Sequence, residues 1–105
     1  MNLTDATFDN ETKTGISVID FWAPWCVPCK NILPIIDELA KTYDNSDIKI
    51  LKVNVDECSE APAKFGIKSI PTILVLKDGA EINRNVGSEK VKEKIEEMIL
   101  KARNS

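Results

Sequence analysis

Two thiols at positions 26 and 29, in the run Trp25-Cys26-Val27-Pro28-Cys29-Lys30, are the residues of this chain best placed to do chemistry. They directly follow a strand-like run, Ile16 to Trp22, and directly precede a strongly amphipathic helix. At a helix start, unpaired backbone N–H groups and the positive end of the macrodipole stabilise a thiolate on the first cysteine, and the thiolate is the nucleophile. The second cysteine, three residues on, lies about one turn further along and can reach the first sulfur. The pair can therefore exchange electrons as a dithiol and a disulfide.

The elements that must hold this pair are legible from periodicity. Ile16 to Trp22 is β-branched and aromatic and stops at Ala23-Pro24, which reads as a strand. From Val27 to about Tyr43, apolar residues Ile32, Ile35, Ile36, Leu39, Ala40 and Tyr43 recur at helical spacing, with Pro34 predicted to kink the helix it interrupts. Asp44 to Asp47 is a turn, and Ile48 to Val55 is apolar on both faces in its middle, as in a strand covered on two sides. A short helix is expected around Ser59 to Phe65. Ile73 to Leu76, Lys77-Asp78-Gly79 and Ala80 to Val86 read as a hairpin, and Ser88 as the cap of a last helix with Val91, Ile95, Met98, Ile99 and Ala102 on its inner face. The first fifteen residues could hold a short strand and a short helix. Alternating strands and helices closed by a hairpin give an α/β fold, one mixed sheet with helices on both faces, whose chemistry belongs beyond the carboxyl ends of the strands. Cys26 follows one of those ends.

Period-two counting puts Asp20 on the same strand face as Ile16, Val18 and Trp22, and Lys52 in line with Ile48 and Ile50. If the two strands are neighbours, Lys52 can reach Asp20 and partly compensate its charge. Desolvation would raise the carboxyl pKa and the ammonium would lower it. A resolving thiol must lose a proton, and a buried carboxylate at the end of the preceding strand is a candidate acceptor. The alternative is a structural Asp–Lys pair or an edge-exposed acid.

Ile70-Pro71-Thr72 opens a core strand where a missing N–H is tolerated. For an arbitrary X–Pro pair a cis bond occurs in only roughly 5–6% of cases. A proline beside the redox pair would leave the Ile70 backbone open to an extended peptide. Cys58 reads as a small, half-buried residue, with a regulatory or intermolecular disulfide as the alternative. Trp22 reads as core packing and Trp25, next to the nucleophile, as contact surface. Lys30 reads as helix solvation.

Composition excludes several other classes. The 105 residues hold material for a single core, hence one domain over 1–105, and are 43% hydrophobic and 30% charged. A net charge of −3 with interspersed signs offers no basic stripe for nucleic acid and no cationic helix for a membrane. There is no histidine, which removes Cys/His protease pairs and most zinc motifs; a zinc site would need Cys26, Cys29 and Cys58 with a carboxylate. An odd cysteine count fits a reducing compartment, and with neither a basic nor an apolar leader at the N-terminus the expected location is the cytoplasm.

Over essentially its whole length the chain resembles the thioredoxin family. The resemblance rests on Asp20-Phe21-Trp22-Ala23, Trp25-Cys26, Pro28-Cys29-Lys30, Pro34, Lys52, Ile70-Pro71-Thr72, Gly79 and Gly87. It implies a thioredoxin fold with a four- to five-stranded sheet and general protein-disulfide reduction by a monomer. It further implies Cys26 as attacking nucleophile, Cys29 as resolving thiol, Asp20 with Lys52 as the proton acceptor, and a cis Pro71. Trp25, Val27, Pro28, Ile70, Pro71, Val86 and Gly87 would form the surface on which client peptides rest. A thioredoxin reductase drawing on NADPH or ferredoxin would recharge the protein, which itself would hold no cofactor. The main departure is Val27, where the family usually has glycine; a β-branched residue stiffens the turn, adds apolar bulk beside Cys26 and bears on redox poise and reductase fit. Disulfide oxidation or isomerisation, and a binding module without turnover, are the competing functions.

Overall fold

The computed structural model describes residues 1–105. Its elements are α1 (Asp5–Thr12), β1 (Ile16–Trp22), α2 (Val27–Thr42), β2 (Ile48–Asn54), α3 (Glu60–Lys64), β3 (Thr72–Lys77), β4 (Ala80–Val86) and α4 (Val91–Arg103). The sheet has four strands in the order β2-β1-β3-β4. β1 pairs parallel with β2 and, over Ile16 to Phe21, antiparallel with β3, so it lies at the centre of the sheet. Thr4 caps α1 through a reciprocal capping box with Thr7, a local device that needs no tertiary help.

Alternation along β1 divides its side chains between two cores. Ile16 and Val18 join Ile48, Ile50, Ile73 and Val75 under α2 and α4, which contribute Ile32, Ile36, Leu39, Ile95 and Ile99. Ile19 and Phe21 face the other way, with Leu51, Val53, Leu74 and Leu76, under Phe8 of α1 and Ala61 of α3. Both faces of β1 are therefore dry, which explains its nearly unbroken apolar sequence. Truncating Ile36 or Phe21, both almost fully buried, to alanine belongs to the class of changes that costs about 3 kcal/mol or more.

Three expectations are amended. The N-terminal strand is reduced to a single bridge between Asn2 and Lys52, held by Leu3 N–H to Lys52 O (2.8 Å) and Lys52 N–H to Met1 O (2.9 Å). Ser88 does not cap α4. The capping position is Lys90, in the left-handed region with φ 52°, and no side chain bonds the first turn there. Cys58 is not half-buried but closed off at 2% exposure, because it packs with Leu3 and Phe8 in the second core and its Sγ–H donates to Leu3 O. α2 runs on through Pro34, which sits on its exposed side.

Candidate active site

The sheet delivers β1 at Trp22, and the chain turns once before α2 begins. That turn is closed by Cys26 N–H donating to Ala23 O at 3.1 Å. Cys26 is then the N-cap of α2, in extended geometry, and its Sγ accepts the Cys29 backbone N–H at 3.2 Å. Pro28 stands in the first helical turn, where a missing N–H costs nothing. The two cysteines are joined as a disulfide, with their Cα atoms 5.3 Å apart. Of the pair only Cys26 keeps any exposure, 5% against 0% for Cys29. An incoming sulfur can thus meet Cys26 and not Cys29. Ala23, Cys26 and Cys29 form a small apolar cluster with Trp22, Val55 and Ile70.

The Ile70–Pro71 peptide bond is cis and lies against this cluster, with Cys26 Sγ 3.9 Å from Ile70 O. That contact becomes a hydrogen bond only when the sulfur carries a proton. The Ile70 backbone bonds no other backbone group, whereas Pro71 O accepts the Gly87 N–H at 2.9 Å. Gly87, at φ 106°, takes a conformation that side chains disfavour, and so brings the end of β4 beside Pro71. Trp25, Val27 and Val86 are 67%, 65% and 58% exposed, Pro28 is exposed, Ile70 half-buried and Pro71 buried. The result is an apolar rim from three separate chain segments around one accessible sulfur. Trp25 is held on it by Nε1–H donating to Asp56 Oδ1 at 3.2 Å, a partner that nothing in the sequence pattern singles out.

Asp20, two residues before the end of β1, is 1% exposed and is paired in register with Lys52 on β2 and Ile73 on β3. Neither carboxylate oxygen has a hydrogen-bond partner. Burial pushes the carboxyl up, the Lys52 ammonium offsets part of that through space, and the net value is about 7. The edge-exposed alternative for Asp20 is therefore overturned. So is a direct Asp20–Lys52 ion pair: Lys52 Nζ bonds instead to Asp37 Oδ1 of α2, at 3.4 Å. Trp22, expected in the core, is half-buried with its indole N–H buried and unpartnered. Cys58 belongs to the opposite core, and no three His, Cys, Asp or Glu side chains converge as a metal site would require. Chemically, the arrangement can accept or release two electrons through the sulfur pair and one proton at Asp20.

Comparison with known proteins agrees with this geometry. The family model described as Thioredoxin matches residues 1–101. The thioredoxin of Bacillus subtilis (strain 168) is 47% identical over 98 residues, 93% of this chain and 92% of that protein. The thioredoxin of Listeria monocytogenes is 42% identical over 99 residues, 94% of each chain. The solved structure of Plasmodium falciparum thioredoxin superposes with a TM-score of 0.83 at 35% identity, covering 95% of this chain and 96% of that one. With likeness of sequence and of fold running almost end to end, the chain belongs to the thioredoxin family and carries its protein-disulfide reductase activity.

Proposed function

We propose that reduction of a client disulfide runs through Cys26, Cys29 and Asp20 in fixed order. The observation that carries this reading is the asymmetry of the pair: one sulfur touches the surface at a helix N-terminus and the other is sealed behind it. The Cys26 thiolate attacks a client sulfur, forming a mixed disulfide and releasing the first client thiolate. Cys29 gives its proton to the Asp20 carboxylate, and its sulfur attacks Cys26, closing the Cys26–Cys29 disulfide and releasing the second client thiolate. Two electrons leave the protein and two sulfurs of the client are reduced. Lys52 acts on Asp20 only through space, its ammonium keeping the carboxyl below the value that burial alone would set.

The client lies across Trp25, Val27, Pro28, Ile70, Pro71, Val86 and Gly87, with its backbone against the unpaired Ile70 groups. Surface hollows of about 490, 200 and 320 Å³ lie elsewhere on the molecule, none lined by either redox cysteine. A rim of this shape suits a polypeptide better than a small molecule. Residues 1–105 would act as one unit and as a monomer in the cytoplasm, recharged by a thioredoxin reductase drawing on NADPH or ferredoxin. The bacterial relatives support that placement, and no helix is long and apolar enough to cross a membrane.

Insulin reduction with a bacterial NADPH-linked thioredoxin reductase tests the assignment. Cys26→Ser should show no turnover, and Cys29→Ser should accumulate a mixed disulfide through Cys26. Full insulin reduction by either variant would end it.

A further inference from the structure

Lys52 is the nearest cation in sequence register to the buried Asp20, yet its side chain is engaged elsewhere. Its ammonium, on a side chain 20% exposed, sits 3.4 Å from Asp37 Oδ1, while both oxygens of Asp20 are unpartnered. Asp37 lies on α2, in the turn after the buried Ile36, and reaches over to the β2 position that flanks Asp20. One flexible cation thus stands between two carboxylates, one inside and one outside.

We propose that Asp37 is a positioning residue that holds the Lys52 ammonium outward and so leaves the Asp20 carboxyl free to take the proton of Cys29. The proposal rests on the reading of Asp20 as proton acceptor. The groups around Asp20 leave few rivals for the role. β2 brings Lys52, whose ammonium is tied to Asp37 of α2, and β3 brings only apolar Ile73 opposite. α4 brings Val91 and Ile95 to the same core, and its Lys92 is paired with Glu38 on α2. Removing the Asp37 charge has one sign by either route: Lys52 is released toward Asp20, and a negative charge near it disappears. Both stabilise the ionised Asp20. A carboxylate bound that way is a weaker base toward a thiol.

The size is bounded by exposure. Asp37 is 62% exposed, so its pair with Lys52 is of the screened, surface kind. We therefore expect Asp37→Asn to lower the Asp20 titration midpoint by about 0.3 to 0.7 pH unit, read from the carboxyl carbon by NMR in the intact protein. The pH midpoint of the resolving step, followed by single-turnover release of a mixed disulfide, should move with it. Asp37→Glu should restore both values. In a Lys52→Met background the shift caused by Asp37→Asn should fall to less than half, since only the direct loss of the Asp37 charge then remains. An unchanged midpoint in Asp37→Asn, or the same shift with and without Lys52, overturns the proposal. Failure of the underlying reading looks different: Asp20→Asn would then resolve at the normal rate, whatever Asp37 does. Asp37 is solvent-exposed, and a thermal melt of Asp37→Asn verifies that the fold is intact.

Discussion

The backbone N–H of Cys29 donates to Cys26 Sγ across 3.2 Å, so the sulfur at the surface is also the cap of the helix that carries its partner. A group that satisfies a helix-end donor while bearing negative charge is favoured twice, once by the hydrogen bond and once by the macrodipole. The same peptide unit therefore favours a thiolate on Cys26 and fixes Cys29 within closing distance.

Thiol labelling should follow this asymmetry. After reduction, iodoacetamide at pH 7 should modify Cys26 first, with Cys29 slower and Cys58 protected until the chain unfolds. Burial first, then the Asp5 and Glu57 carboxylates, push the Cys58 thiol up, and the residue is only 2% exposed. Mass spectrometry of timed samples checks the order; early labelling of Cys58 would contradict its place in the core.

Asp20→Asn should separate stability from activity. The folded carboxyl is pushed up to about 7 against 3.8 for an unperturbed aspartate, so the unfolded chain releases this proton at lower pH. Below about pH 4 both states hold the proton and the substitution gains nothing; between the two values the penalty on the native state grows, and above 7 it is constant. At about 1.4 kcal/mol for each pH unit between them, less the cost of an unpaired amide, a gain of about 2–3 kcal/mol is expected at pH 7.5. Urea melts at pH 4 and 7.5 measure it, and the resolving step should slow in the same variant. A variant less stable at pH 7.5 would mean that Lys52 compensates the native charge fully.

Val27→Ala should act on docking and leave the fold unchanged. The side chain is 65% exposed at the first position of α2 and belongs to none of the buried clusters. Removing two methyl groups from the rim takes away on the order of 1 kcal/mol of contact with an apolar client, a rise in KM of roughly two- to fivefold. Steady-state insulin reduction reads the KM, and kcat and Tm should stay close to the wild-type values.

Arg84→Ala should loosen the segment that leads to Pro71. The guanidinium makes a two-pronged pair with Glu81, both contacts at 2.7 Å, and donates to Phe65 O at 2.7 Å, tying β4 to the end of α3. That pairing holds the Glu81 carboxyl below its usual range. With both side chains partly exposed, a loss of about 1 kcal/mol is expected, together with faster proteolytic cleavage between residues 66 and 70. Arg84→Lys should recover only part of the protection, because an ammonium lacks the fork.

Much of the fold was legible because it is written in short periods. β1 runs over the β-branched and aromatic stretch that stops at Ala23-Pro24, β4 over the second arm of the hairpin, and α2 starts at the residue after Cys26. Where local chemistry competes with packing, the reading was weaker. Ser88 has the right residue type for a cap, yet the chain enters α4 through Lys90 in a left-handed turn. Met1 to Leu3 have no strand pattern, and the backbone bonds of Met1 and Leu3 to β2 come from lying beside its edge.

The site divides along the same line. The order of residues alone determined that two thiols stand one helical turn apart at a helix start, that Asp20 lies on the strand face of Ile16 and Val18, and that Lys52 lies on that of Ile48 and Ile50, since spacing of three or two residues dictates direction. Only the tertiary structure decided which sulfur meets solvent, that Ile70 and Gly87 close on Cys26 from distant segments, and that Lys52 turns to Asp37 and leaves Asp20 alone. A long, flexible side chain chooses among partners by distances that packing sets, and no local spacing carries that information.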